Sequence, residues 1–203
     1  MLADFCKANN ARLLHISTDY VFEGNGNLPL TEIHSPKPPS VYGKTKWEGE
    51  KEILSRLDNA YIFRTAWVYS VFGKNFLKTM LTLAAQRPHL NVVYDQVGTP
   101  TNARDLARTI LMVIENIERG NDFPSLYHYT NEGVTSWFDF DTAIFKIAGI
   151  PTTVTPIPTS DYKTAAKRPT FSVLDKTKIK KTFTISIPYW MESLEKTINE
   201  LKQ

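Results

Sequence analysis

The stretch from Ser17 to Lys46, STDYVFEGNGNLPLTEIHSPKPPSVYGKTK, constrains the fold of this chain more than any other. An apolar, β-prone run (Leu13, Leu14, Ile16) feeds into Ser17-Thr18-Asp19-Tyr20, which predicts a buried strand over Arg12 to Ser17 with hydroxyls and a carboxylate at its carboxyl end. In open α/β sheets that end is where ligands bind. After a loop bearing Gly and Pro, Ser40-Val41-Tyr42-Gly43-Lys44-Thr45-Lys46 reads as a helix start with Ser40 as its N-cap. Tyr42 and Lys46 are four apart and so share one helix face. An ammonium a few ångströms from a phenol favours the phenolate, so the pair is suited to passing a proton. The spacing alone is weak, because a chain with nine Tyr yields such a match by chance, and an ordinary exposed helical pair is the competing reading.

The rest of the chain alternates helix and strand periodicities. Residues 2–9 place Leu2, Phe5 and Cys6 at helical spacing. A helix over 40–57 is followed by a strand over 60–65 (AYIFRT) that leads into Trp67-Val68-Tyr69. A helix then runs from Gly73 through Ala85, and a strand covers 90–94. Thr101 or Asn102 caps a helix whose stripe is Leu106, Ile110, Val113, Ile114 and Ile117. Leu126 to Tyr129 reads as a strand, and Ser136 caps a helix with Phe138, Ile144, Phe145 and Ala148 inward. Pro151, Pro156, Pro158 and Pro169 then limit the chain to loops and short strands before a last helix, roughly Trp190 to Leu201. The expectation is an α/β fold: a Rossmann-like parallel sheet with flanking helices over 1–135, and a small C-terminal substrate-binding region over 136–203.

A chain that opens on a helix and at once enters a sheet reads as lacking its first strands. The only close glycine pair, Gly24 and Gly26, is followed by Pro29 where a dinucleotide fingerprint needs a third glycine, so the pair reads as turn chemistry. On this expectation the 203-residue chain alone binds nicotinamide cofactor poorly and self-associates through uncovered apolar surface.

The charge is mild, 24 basic against 21 acidic residues. The two basic clusters, Lys163 to Arg168 and Lys176 to Lys181, are short, which favours a solvated face over a nucleic-acid patch. Cys6 stands alone and cannot form an internal disulfide, which fits a reducing cytoplasm; it reads as core filler. No apolar run reaches membrane-spanning length, so a soluble, cytoplasmic protein is expected. His15, His34, His89 and His128 lack metal-site spacing, and no metal ligands are expected.

In order along the chain, STDYVF, VYGKTKWEGE, RTAWVY, GKNF, DQVGTPT, the Asp105-Leu106-Ala107 step, TSWFDF and RPTFSVLD run from about Ser17 to Asp175. This combination resembles the extended short-chain dehydrogenase/reductases, and within them the enzymes that reduce the 4-keto group of a dTDP-linked deoxysugar. The resemblance implies a nucleotide-sugar substrate and NADPH or NADH as hydride donor. It implies that Tyr42 gives a proton to the developing alkoxide and Thr18 a hydrogen bond to the same oxygen. Lys46 would lower the tyrosine pKa and hold the nicotinamide ribose. Trp67 would lie against the sugar, its flat ring a platform for a pyranose face, where the residue-level alternative is plain core. Asp19 would accept sugar hydroxyls, or cap a turn. The family leaves room for a homo-oligomer, for a non-catalytic regulatory subunit on the same scaffold, and for a related sugar-nucleotide epimerase.

Overall fold

The computed structural model describes residues 1–120, 123–162 and 168–202, so the front of the first basic cluster, residues 163–167, lies outside them. The chain opens with α1 (Leu2–Ala8) and β1 (Leu13–Thr18), then a 3-10 turn at Asp19–Val21. A long loop leads to α2 (Val41–Leu54) and β2 (Ala60–Thr65). β1 and β2 are parallel and in register from Leu13↔Ala60 to Thr18↔Thr65, with α2 as the crossover between them. Such a connection is what a parallel pair needs. Every residue of β2 is buried, which explains why AYIFRT reads as a continuous run rather than an alternating one.

β3 (Val68–Tyr69), α3 (Phe76–Ala84), β4 (His89–Val93), β5 (Val97–Gly98), β6 (Thr101–Asn102) and α4 (Ala103–Glu118) follow. Next come β7 (Leu126–His128), β8 (Thr135–Ser136), α5 (Trp137–Ala148), β9 (Thr153–Ile157), α6 (Thr177–Phe183) and α7 (Trp190–Leu201). β7 joins the other edge of β2, giving a three-stranded parallel sheet in the order β1-β2-β7. β4 pairs with β9 in parallel, taking in Pro156 opposite Val92; among the described residues β9 has no second neighbour, so the missing amide hydrogen disrupts no ladder there.

The helix starts follow their caps. Ser40 accepts from the Gly43 amide, Asn102 from Arg104 and Asp105, and Ser136 forms a capping box with Asp139. Three differences from the sequence expectation have physical causes. In α1 the buried residue is Ala3, with Cys6 half-buried beside Ile53 and Leu57, while Leu2 and Phe5 are exposed. α2 stops at Leu54, three residues short of the expected end, and Leu57 turns into the core instead. α6 forms within the second basic cluster because Ile179 and Phe183, four apart, bury one apolar edge against Tyr127 and Tyr61.

Side chains from both sides of residue 135 meet in the two larger cores. One joins Leu77, Met80, Leu90 and Val92 to Phe140, Ile144, Leu194 and Ile198. The other joins Tyr61, Phe63, Leu106 and Val113 to Ile179, Phe183 and Ile187. No helix among the described residues is long and apolar enough to cross a membrane.

Candidate active site

Thr18 ends β1 and is buried. The Tyr20 amide donates to its Oγ1 at 3.2 Å, and that hydroxyl donates to Asp19 Oδ1 at 3.1 Å. Asp19 is itself buried under Thr18, only 2% exposed. Burial pushes its carboxyl up to about 6, against the lowering pull of the Ser172 and Thr18 hydroxyls. Burial leaves almost none of the Asp19 carboxylate accessible to a sugar hydroxyl, and Thr18 donates to it instead.

Tyr42 lies in the first turn of α2, half exposed, with its ring edge-on to Tyr20 at 5.8 Å and 77°. Tyr20 thus links the two expected oxygen partners: its amide holds Thr18 and its ring abuts Tyr42. Gly43 permits this approach. A Cβ at that position would collide with the Tyr20 carbonyl oxygen and come within 2.9 Å of Pro38 Cβ. Gly43→Ala is expected to lower stability by about 2 kcal/mol by forcing α2 off the turn. Gly49→Ala, where an added Cβ meets nothing within 4 Å, should raise stability by about 0.5–1 kcal/mol. Urea-unfolding midpoints of both variants are the check, and equal effects would remove Gly43 from this role.

One turn along α2, the Lys46 ammonium donates to the Ile16 carbonyl at 2.6 Å and lies 3.3 Å from His15 Nε2. Burial lowers the Lys46 pKa, while Glu50 opposes the shift. The His15 ring is also pulled below its usual range, by burial first and by Lys46 second, so a neutral imidazole faces the ammonium. Lys46 is thus secured to β1, on the same helix face as Tyr42.

Trp67 follows β2 with φ of +49°, a left-handed conformation that costs a non-glycine residue about 1–3 kcal/mol and recurs at functional sites. Its carbonyl accepts from the Thr101 amide at 3.1 Å, and its ring stacks on Trp137 with centroids 3.5 Å apart and planes 10° from parallel. Gly98 underlies the ring; a Cβ there would stand 2.8 Å from Trp67 Cε2 and from Ser172 Oγ. Trp137 also lines a cavity of about 590 Å3 with Phe76, Arg87, Gln96, Tyr162 and Arg168. The Arg168 charge is felt by Tyr20, lowering a phenol that burial and Asp19 raise, which connects this cavity electrostatically to the tyrosine pair.

His15, Gly43, Trp137 and Ser172 were not legible as site residues. Gly43 lies inside the Tyr-x-x-x-Lys stretch, Trp137 inside TSWFDF and Ser172 inside RPTFSVLD. Trp137 and Ser172 arrive from distant parts of the chain. Among the described residues no group of three or more His, Cys, Asp or Glu could hold a metal ion. The cofactor side fits in part: Tyr42 and Lys46 at the strand end suit a ribose and a reacting carbonyl. Gly24, however, packs its φ +72° turn against Pro169 and Phe171 rather than opening a helix that could seat a pyrophosphate.

The family described as the RmlD substrate binding domain matches residues 1–203. The chain is 41% identical over 201 residues to a dTDP-4-dehydrorhamnose reductase of Aggregatibacter actinomycetemcomitans, covering 96% of this chain and 68% of that protein. A crystal structure of a dTDP-4-dehydrorhamnose reductase from Clostridium acetobutylicum superimposes with a TM-score of 0.92 at 42% identity, covering 100% of this chain and 70% of that one. The Bacillus anthracis enzyme of the same name, in complex with NADP, superimposes with a TM-score of 0.88 at 34% identity, covering 98% and 69%. The chain thus spans about two thirds of the length of these relatives.

Proposed function

The chain belongs to the RmlD substrate binding domain family, and on that premise we propose that it seats the sugar nucleotide and delivers the proton in the reduction of dTDP-4-dehydrorhamnose to dTDP-rhamnose. What supports this reading is that Tyr20 contacts both Thr18 and Tyr42, while Lys46, one turn beyond Tyr42 on α2, donates to the Ile16 carbonyl two residues before Thr18.

Bound NADPH or NADH supplies the hydride that reaches the C4 carbon of the sugar. As negative charge grows on the C4 oxygen, Tyr42 Oη passes its proton to it. The Thr18 hydroxyl turns from Asp19 to donate to the same atom. These hydrogen bonds act where charge appears only in the transition state, which is where they accelerate a reaction. Lys46, held by Ile16 and His15, keeps a positive charge along the tyrosine face and is placed to hold the nicotinamide ribose. Trp67, fixed by Trp137 and Gly98 and left half-buried, gives the pyranose the exposed part of its apolar ring. The cavity beside Trp137 takes the nucleotide, with Arg87 and Arg168 toward its phosphates.

Calorimetric titration of dTDP-rhamnose into the chain tests the reading. Micromolar binding is expected, weakened about two- to tenfold by Trp67→Ala, since an aromatic contact of this kind contributes about 0.5–1.5 kcal/mol. The absence of any binding heat at millimolar ligand would end the proposal.

A further inference from the structure

Tyr42, Lys46 and Glu50 recur at four-residue intervals and form one stripe on α2. The third of them is out of solvent, 2% exposed, in a helix whose other acids are exposed or half-exposed. Arg64 grips it from β2, with Nε 3.0 Å from Oε1 and Nη2 2.6 Å from Oε2, and the Ser17 hydroxyl donates to Oε1. Ser17 and Arg64 are register partners on neighbouring strands, one row before Thr18↔Thr65. The helix is therefore fastened to the sheet at the row that immediately precedes the catalytic threonine. One row earlier, the Ile16 carbonyl receives Lys46.

A buried ion pair is a poor device for stability alone, because desolvation consumes most of its Coulomb energy and apolar residues of similar size do as well. What the pair supplies that an apolar contact would not is a fixed helix register and a negative charge beside Lys46. We infer that Glu50 is a positioning residue of the reaction: clamped by Arg64 and Ser17, it sets α2 against β1 and holds a carboxylate one helical turn from Lys46. The inference rests on the reading of Tyr42 and Lys46 as the proton-transfer pair.

The groups facing this stripe are few. β1 contributes His15, whose ring burial and Lys46 hold toward neutrality; the Asp19–Val21 turn contributes Asp19 and Tyr20; β2 contributes Arg64. Of these, only Glu50 draws the Lys46 pKa upward against burial.

The test is a pH titration of Lys46 by NMR in the 203-residue chain carrying 13C-labelled lysine, with the Lys46 signal assigned by Lys46→Arg. In Glu50→Gln the Lys46 midpoint should fall by about one pH unit, the effect of losing one opposite charge a few ångströms away, while the exposed lysines stay in place. Glu50→Gln leaves Arg64 buried without its counter-charge, which endangers folding. The double variant Glu50→Met with Arg64→Met leaves no unpaired buried charge, and its Lys46 midpoint should also fall, though by less, because the Arg64 charge that opposes Glu50's is removed with it. An unchanged midpoint in either folded variant overturns the inference. Because no turnover is read, that result would leave the proposed reductase role standing, and a failed turnover assay would leave this measurement intact.

Discussion

In a chain that also carries the cofactor-binding segment, Tyr42→Phe is expected to lower the rate of dTDP-4-dehydrorhamnose reduction by about 10²–10⁴-fold, the range that a positioned proton donor contributes. The substitution removes one oxygen from a half-exposed ring whose edge still rests on Tyr20, so α2 has no reason to move. Affinity for dTDP-rhamnose should stay within about twofold, because the lost interaction is realised only as the alkoxide forms. NADPH oxidation under single-turnover conditions, read beside calorimetric binding, separates the two quantities. Undiminished turnover by the variant would remove Tyr42 as the acid. Equal loss of turnover and binding would recast it as a substrate contact.

Asp141→Ala is expected to stabilise the protein, and to do so more at high pH. Asp141 lies on α5 at 0% exposure, and neither of its carboxyl oxygens has a hydrogen-bond partner among the described residues. Burial pushes its pKa up from 3.8 to about 7. The sign of the pH effect follows from proton counting. Between those two values the folded chain holds a proton that the unfolded chain has released, so stability falls as the pH rises through that window and levels off above about 7. A raised pKa of this size corresponds to about 4 kcal/mol at pH 8 relative to pH 3. Below pH 4 a neutral unpartnered carboxyl still costs about 1–3 kcal/mol. Urea midpoints at pH 4 and pH 8 should therefore differ more between variant and parent at pH 8. A gain that is the same at both pH values, or a loss, would show that the carboxylate has found a partner.

How much of this was legible depends on how local each cause is. The caps at Ser40, Asn102 and Ser136 are written within three residues of the helices they open, and each is where the pattern places it. Thr18 at a strand end and Lys46 one turn beyond Tyr42 follow from the two backbone periods. The exposure of Leu2 and Phe5 is not legible, because a seven-residue helix with apolar residues on two sides leaves its buried face to whatever it packs on, here Ile53 of α2 and Leu57 just beyond its end. The lysine-rich TKIKKTF run hid α6, since two buried apolar residues among three lysines read as solvated surface until Tyr61 and Tyr127 are in place. Trp137 lies 70 positions from Trp67 along the chain, and only the tertiary fold brings the rings together.

That pair of rings has an optical consequence. Two indoles with nearly parallel planes at 3.5 Å couple their electronic transitions, so the folded chain should carry an exciton signature in its circular dichroism that the separate chromophores lack. A sugar laid against Trp67 perturbs one partner of the coupled pair and leaves the other in place. The polypeptide thus contains an intrinsic gauge of ligand occupancy, readable without a label or a turnover event.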